Sequence, residues 1–488
     1  MKLKTLLDNV AVLLLSGSEE TDIAGIAYSS KAVKQGFLFA ALKGERMDGF
    51  DFVREAVSNG AAAVLSDRPK PQGFGAVWIQ ALDAREALAL CAANYYGHPS
   101  DRMKVIGITG TKGKTTTTYL LEEIFNKARW IPGVIGTIDY HGPGFQLKAA
   151  RTTPEAPDLQ RILKEMADRG VTHCLIEVSS HSLDLKRVWG IDFDIAVFTN
   201  LSGEHLDFHQ SMDNYFEAKK KLFFLDHKRN TAVINSDDFW GKRLLSELPM
   251  RTISYGLEPA AIVRGEKFRI TDEGIEVLIK YPGGQKTVTS SLLGKHNLYN
   301  ILAAAATSLS LNAPCPAIKE GIASLREIPG RFEKIENTRG LQIIVDYAHT
   351  DDALRNVLET IRDLRPNRII LAFGAGGDRD KSKRERMGEV AGRLAEWTIL
   401  TSDNPRSEDP LAIIAAIEKG IQKTGLKKYE IQPDRREAIR RALALGKRDD
   451  SILIAGKGHE DYQILKEATI PFSDAAVIRE ILNEMGAD

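Results

Sequence analysis

The run Ile108-Thr-Gly-Thr-Lys-Gly-Lys-Thr-Thr-Thr117 constrains this chain more than any other stretch. Ahead of it, residues 105–108 form an apolar run, the pattern of a strand buried on both faces. Behind it, residues 114–126 carry apolar positions at helical spacing. A strand, a Gly-rich turn and a helix in direct succession open a parallel α/β sheet. Gly110 and Gly113 let backbone N–H groups crowd around an anion, and the helix N-terminus adds its dipole. In such a loop Lys114 reaches the terminal phosphates of a nucleoside triphosphate, and the Thr115 hydroxyl ligates Mg²⁺. Ile108 stands where the common consensus has its first glycine, while the Gly-x-x-Gly-Lys-Thr-Thr half is intact.

A nucleotide site also needs a carboxylate for the metal and polar groups at neighbouring strand ends. Glu177 closes the apolar run 173–178 and is the candidate carboxylate. His205 follows the next such run, 195–199, as a second Mg²⁺ ligand, although a histidine taken alone is more often structural. No Gly-x-Ser-x-Gly elbow surrounds Ser179-Ser-His181, which argues against a hydrolase.

At 488 residues the chain exceeds one ordinary core. Boundaries are expected near the Gly- and Pro-containing stretch 94–101 and near Ile328-Pro-Gly-Arg331, giving domains 1–100, 101–330 and 331–488. Within the first, residues 36–42 and 61–66 read as strands and 50–59 as a helix ended by Gly60. Residues 251–290 read as a small β excursion and 298–311 as a helix. Apolar runs at 341–347, 368–373, 397–401 and 451–455, each followed by a helix, predict a second, Rossmann-like sheet. The fold class is therefore α/β in three domains. Lys+Arg and Asp+Glu are both 66, so no global charge draws the chain to nucleic acid or an anionic membrane. Cys91, Cys174 and Cys315 lie in no metal-ligand spacing and read as buried spectators. The apolar run 10–15 is too short for a signal core and reads as a buried strand or helix end, so a cytoplasmic protein is expected.

Together Thr109-Gly-Thr-Lys-Gly-Lys-Thr-Thr116, Glu177-Val-Ser-Ser-His181, Asn200-Leu-Ser-Gly-Glu-His-Leu-Asp207, Gly294-Lys-His-Asn-Leu-Tyr-Asn300, Pro329-Gly-Arg331 and Asp346-Tyr-Ala-His349 resemble the Mur ligase family. These are ATP-dependent amino-acid ligases of peptidoglycan synthesis, and the resemblance runs the length of the chain. It implies an N-terminal UDP-sugar domain, a central ATP domain and a C-terminal amino-acid domain. Phe373-Gly-Ala-Gly-Gly-Asp-Arg-Asp-Lys381, Asp403-Asn-Pro-Arg406 and Ala455-Gly-Lys-Gly-His-Glu-Asp461 resemble the member that extends UDP-N-acetylmuramoyl-L-alanyl-D-glutamate. The Asp-Asn-Pro-Arg form goes with meso-2,6-diaminopimelate rather than lysine.

The resemblance implies a site residue by residue. Gly110, Thr111, Lys112, Gly113, Lys114, Thr115 and Thr116 would hold ATP, with Arg331 and Asp346 meeting its ribose and phosphate. Asn297 and Asn300 would bond the adenine or position the ATP helix. Ser30, Gly44 and the turn through Arg46 would hold the uridine diphosphate, and Arg151, Thr152, Thr153, Ser179 and Arg187 the sugar dipeptide. Arg379, Asp403, Asn404, Pro405, Arg406, Gly456 and Glu460 would hold diaminopimelate: Arg406 as a fork on its distal carboxylate, Glu460 on its ammonium. Lys114, Lys219, His205 and His349 form the catalytic set. Lys219, in a lysine run that reads as a solvated helix face, matches the lysine the family carbamylates into a Mg²⁺ ligand beside Thr115, Glu177 and His205. The reaction implied is phosphoryl transfer from ATP to the D-glutamate side-chain carboxylate, then attack of an amine on the acyl phosphate, by a monomer. Arg151, where the family has Asn, puts one substrate contact in question, and Glu204 and Asp351 are smaller departures. Competing readings are the same ligase using L-lysine, a folylpolyglutamate synthase, and a nucleotide switch. Asp403–Arg406 and Gly456–Glu460 argue against the last.

Overall fold

The computed structural model describes residues 1–44, 47–225 and 231–486. The chain divides into two compact units. One comprises Met1–Thr199, Phe216–Ser254 and Ala306–Ala313; the other comprises Asn200–Tyr215, Tyr255–Ala305 and Pro314–Asp488.

The first unit opens with a small sheet in the order Val12–Ser16, Val77–Ala81, Ala61–Ser66, Phe37–Ala40, Gly25–Ala27. Its strands are parallel except the first. That first strand is the apolar run near the N-terminus. It is an edge rather than a buried element, with Leu13 and Leu14 largely exposed, because only one side finds a neighbour. The helix expected over 50–59 starts later, at Val53, because Asp48 caps a short 3₁₀ turn over Gly49–Phe52.

The phosphate-loop strand Lys104–Thr109 lies between His173–Glu177 and Ile195–Phe198, with Pro132–Ile135 and Thr231–Asn235 outside them. All five are parallel, and every residue after the first in each is buried, as their unbroken apolar runs require. Register places Glu177 beside Ile108 and Phe198 beside Thr109. Three strands thus end together at the carboxyl edge, where open α/β sheets bind ligands.

In the second unit, Val263–Thr271, Gly274–Tyr281 and Gly284–Ser290 form an antiparallel meander, the expected β excursion. A six-stranded sheet follows in the order Glu333–Ile335, Gln342–Asp346, Ser451–Ala455, Ile369–Phe373, Trp397–Leu400, Tyr429–Ile431, parallel except at its first strand. Helices Asp351–Asp363, Ser382–Leu394 and Pro410–Thr424 cover one face, and Arg435–Leu445 and Asp474–Met485 the other. Separate buried clusters on the two faces make this a doubly wound layer. Cys91 and Cys174 are buried as expected, whereas Cys315 is half-exposed, its Sγ 3.2 Å from the Tyr281 hydroxyl. Among the described residues no helix is long and apolar enough to cross a membrane.

Candidate active site

The phosphate loop folds as its glycines dictate. Gly110 (φ +146°) and Gly113 (φ +85°) adopt backbone that L side chains avoid, and helix Lys114–Lys127 starts directly behind them. The Lys114 ammonium donates to the carbonyls of Gly110 and Thr111, both at 2.9 Å. Lys112 is tied to the neighbouring strand end, its carbonyl accepting from Thr199 at 2.7 Å. Thr111, Thr115 and Thr116 are buried at the loop.

Glu177 is buried at the adjoining strand end. Its carboxylate accepts from the Thr115 hydroxyl (3.0 Å), the Thr137 hydroxyl (2.9 Å) and the Thr137 N–H (3.1 Å). A buried carboxylate beside the loop threonine is a hard-oxygen donor pair of the kind Mg²⁺ takes, with substrate phosphates completing the shell. Among the described residues no group of three His, Cys, Asp or Glu side chains converges as a self-sufficient metal cage. Lys219 is where the reading from the lysine run fails. Its side chain is only 1% exposed, and its ammonium donates to the Gly110 carbonyl at 2.9 Å. Lys220 and Lys221 instead pair on the surface, with Glu217 and Glu247 and with Asp184. Helical phase, invisible in a run of three identical residues, turns only Lys219 inward.

Beside the loop lies the Arg-Thr-Thr segment. Thr152 reaches Thr137 (3.1 Å), and Thr153 donates to the Glu177 carbonyl (2.7 Å). Ser179 caps helix Ser180–Asp184, accepting from Ser182 N–H at 3.1 Å. Arg187 is buried, donates to the Thr153 carbonyl at 3.3 Å, and pairs with Glu155 at 2.9 Å. Its Nε has no hydrogen-bond partner among the described residues. Burial presses the Arg187 guanidinium below its usual pKa, and Arg151 and Arg85 add to that. Arg151 is exposed and bonds Glu155 at 3.2 Å, so it joins the same cluster in place of an asparagine. Ser30 is buried, its carbonyl accepting from Asn59 (3.0 Å), and Gly44 N–H donates to the Met47 carbonyl (2.9 Å). Glu45 and Arg46 lie outside the described residues.

In the second unit, Asn297 donates to the Leu293 carbonyl (2.8 Å) and accepts from Asn300 (2.9 Å), so this pair fixes the start of helix Lys295–Ser310. Asp346 accepts from the N–H groups of Phe332 (2.7 Å) and Ala348 (2.8 Å), which uses one lone pair of each oxygen. Burial raises its pKa despite the nearby Arg331. Arg331 stacks 4.7 Å over Tyr347, with its Nε buried and unpartnered among the described residues. His349 places one ring nitrogen 2.9 Å from the Tyr347 carbonyl and the other 3.3 Å from Glu204. His205, at φ +57°, is 3.9 Å from the same Glu204.

The three C-terminal motifs meet at the carboxyl edge of the six-stranded sheet. Arg406 sits at φ +52°, a costly conformation for a side chain with a Cβ, and donates to the Gly377 carbonyl at 2.8 Å. Burial, then the like charge of Arg379, push its guanidinium below the usual pKa. Arg379 itself is exposed, donating to the Asp378 carbonyl at 3.1 Å. Asp403 and Pro405 are buried, and Gly456, at φ +114°, donates to the Asp346 carbonyl at 3.0 Å. Asn404, expected among the groups meeting the amino acid, spends its amide internally: Nδ2 donates to Glu460 (2.8 Å) and Oδ1 accepts from Ile464 N–H (2.9 Å) and Lys457 (3.2 Å). Sequence reasoning missed Thr137, Glu155 and Lys457. Glu155 and Lys457 lie inside a recognisable motif or directly after one, but Thr137 carries no local signal.

Comparison with known proteins decides the relationship. Family models match residues 22–96 (Mur ligase family, catalytic domain), 108–308 (Mur ligase middle domain) and 330–458 (Mur ligase, glutamate ligase domain). A protein of Solibacter usitatus is 45% identical over 96% of this chain and 95% of its own length. The chain belongs to the Mur ligase family. It is accordingly an ATP-dependent ligase. That relative, and one of Alkaliphilus metalliredigens 43% identical over 100% of this chain and 99% of its own length, are both named UDP-N-acetylmuramoyl-L-alanyl-D-glutamate–2,6-diaminopimelate ligase. A solved structure with the same name matches at a TM-score of 0.70 and 30% identity, covering 100% of this chain and 99% of the other. At 22% identity and a TM-score of 0.62, a MurF ligase of Thermotoga maritima solved with ADP shares the Mur ligase fold over 95% of this chain and 97% of its own.

Proposed function

We propose that the enzyme joins an amine of meso-2,6-diaminopimelate to the D-glutamate side-chain carboxylate of UDP-N-acetylmuramoyl-L-alanyl-D-glutamate, with ATP converted to ADP and phosphate, for peptidoglycan synthesis. The observation that carries the choice of amino acid is the Arg406–Arg379 pair facing Glu460. Burial, then the like charge of Arg379, make the Arg406 guanidinium costly without an anion, and a distal carboxylate beside it answers that cost, with Glu460 left for the adjoining ammonium. Lysine offers the ammonium without the carboxylate. The names of the relatives support the same substrates.

In this reading the loop from Gly110 to Thr116 cradles the ATP phosphates, and Lys114 leaves its two carbonyls to meet them. Arg331 and Asp346 serve the nucleotide, and Asn297 and Asn300 hold the helix beside it. Thr115, Glu177, His205 and carbamylated Lys219 would hold Mg²⁺, which when bound offsets charge as phosphoryl passes to the carboxylate. Burial of Lys219 beneath the loop supports its modification, since carbamylation replaces a buried ammonium with a carboxylate-like group that a metal can neutralise. Ser30, Gly44, Arg151, Thr152, Thr153, Ser179 and Arg187 would hold the UDP-sugar dipeptide. Positioning and charge neutralisation, rather than a protein nucleophile, carry the rate, with His349 beside Glu204 near the transfer.

Phosphate release with the muramoyl dipeptide and competing amino acids tests this. Release is expected with diaminopimelate and not with lysine; equal release with both overturns the choice. Arg406→Ala should raise the KM for diaminopimelate by roughly 10- to 150-fold, the loss of about 1.5–3 kcal/mol of charge-assisted bonding, with little change in that for ATP.

A further inference from the structure

Lys457 is a lysine with no exposed side-chain surface, one residue past the glycine that turns the chain at the end of strand Ser451–Ala455. An ammonium in such a place must be compensated, or it destabilises the fold that buries it. Two groups do so: Glu460 Oε2 at 2.9 Å and Asn404 Oδ1 at 3.2 Å, while the Tyr462 ring centroid lies 5.5 Å away. Asn404 Nδ2 donates to the same Glu460 oxygen at 2.8 Å. Asn404 is itself held, since its Oδ1 also accepts from Ile464 N–H at 2.9 Å. The backbone turn is closed by Glu460 N–H donating to the Lys457 carbonyl at 3.0 Å.

The consequence is an asymmetric carboxylate. Oε2 of Glu460 receives two donors from rigid neighbours, whereas Oε1 accepts no hydrogen bond among the described residues. A glutamate with three free torsions would spread its charge over many positions and lose that freedom on binding. Clamped by one oxygen, it presents the other in one direction at no further entropic cost. The Lys457 ammonium is too deeply buried to meet a substrate directly. Its effect must pass through Glu460.

We propose that Lys457 is a positioning residue, which with Asn404 fixes Oε2 of Glu460 so that Oε1 receives the ammonium of the incoming amino acid. This rests on the reading of Glu460 as the ammonium partner given above. It assigns the second residue of Gly456-Lys-Gly-His-Glu460 a function in substrate binding that its burial would otherwise hide.

Steady-state phosphate release by the full-length enzyme tests it, with Lys457→Met, Lys457→Arg, Glu460→Gln and the Lys457→Met/Glu460→Gln double variant. Lys457→Met should raise the KM for diaminopimelate by roughly tenfold, the worth of one well-placed charge-assisted bond, and leave the KM for ATP within about twofold. Lys457→Arg, which keeps a donor, should recover part of that loss. In the double variant the lysine change should add less than about twofold to the effect of Glu460→Gln, because its target has gone. Effects that multiply, or equal rises for ATP and diaminopimelate, overturn the proposal and assign Lys457 a purely structural role. If Lys457→Met does not fold, the double variant, which removes both charges of the buried pair, is compared with Glu460→Gln, and a further rise in KM above about twofold overturns the proposal in the same way. Failure of wild-type enzyme to use diaminopimelate would instead remove the reading of Glu460 beneath it.

Discussion

Asp474→Ala removes one half of an ion pair whose two side chains have no exposed surface. Arg435 forks onto Asp474 with Nε–Oδ1 and Nη2–Oδ2 distances of 2.7 Å each, and the same guanidinium donates to the carbonyls of Ala455 (3.0 Å) and Ser402 (3.4 Å). Burial alone would lower the pKa of Arg435, but Asp474 outweighs it and the net shift is upward, so the charge persists. Two charge-assisted bonds at about 1.5–3 kcal/mol each agree with the roughly 3–5 kcal/mol lost when one partner of a buried pair is removed. Arg435 spans the ends of the strands that carry Asp403–Arg406 and Gly456–Glu460, so the loss falls on the amino-acid pocket. Hydrogen exchange of the full-length enzyme measures it locally. The amides of strand Ser451–Ala455 should exchange between roughly one hundred and several thousand times faster in the variant. Arg435→Met/Asp474→Leu, which removes both charges, should restore most of the protection. Acceleration below about tenfold, equivalent to about 1.4 kcal/mol, would refute the view that this pair holds the two strand ends.

His141 lies between Asp139 and Glu122, each at 2.7 Å; burial works against its charge, but the two carboxylates outweigh it and raise its pKa to about 10. Its folded pKa thus exceeds the unfolded value of about 6.5, so its contribution is complete below that pH and is lost as pH rises through about 10. The Tm advantage of wild type over His141→Gln should be largest near pH 6 and vanish above about pH 10; a constant difference would contradict this. Glu177→Gln keeps the shape of a carboxylate that accepts from Thr115 and Thr137 but removes its charge. The Mg²⁺ concentration for half-maximal phosphate release should rise by about tenfold or more, in line with about 1.5–3 kcal/mol for a charged contact, and an unchanged requirement would exclude Glu177 as a ligand. Gly330→Ala places a Cβ 2.0 Å from His459 N at φ +65°. Displacing that backbone costs about 1–3 kcal/mol, and the KM for diaminopimelate should rise while Lys114-dependent ATP binding persists; unchanged kinetics would show the loop position to be immaterial.

Much of the sheet architecture was legible because continuous apolar runs bounded by turns, at this length, form strands buried on both faces. Strands at 61–66 and 451–455 match residue for residue. The phosphate loop was equally legible, since its glycines and lysine act locally. The N-terminal run 10–15 misled, because hydrophobicity does not say whether a strand will find neighbours on both sides, and Leu13 and Leu14 ended on an edge. The lysine run 219–221 hid its phase for a different reason: three adjacent lysines look alike, and only the fold shows that Lys219 alone leaves the expected solvated face for the core beneath Gly110.

Local chemistry, then, was decided by the sequence itself: Gly110 and Gly113 must turn as they do, and Glu177 must end its strand beside Ile108 once the sheet is parallel. Which side chains face one another across long separations was left to the tertiary structure. Asn404 and Lys457 are 53 positions apart, and only strand order brings them to one carboxylate. The physical reason is that side-chain type fixes what a group can do, while burial and partners, set by packing, fix which of those things it does.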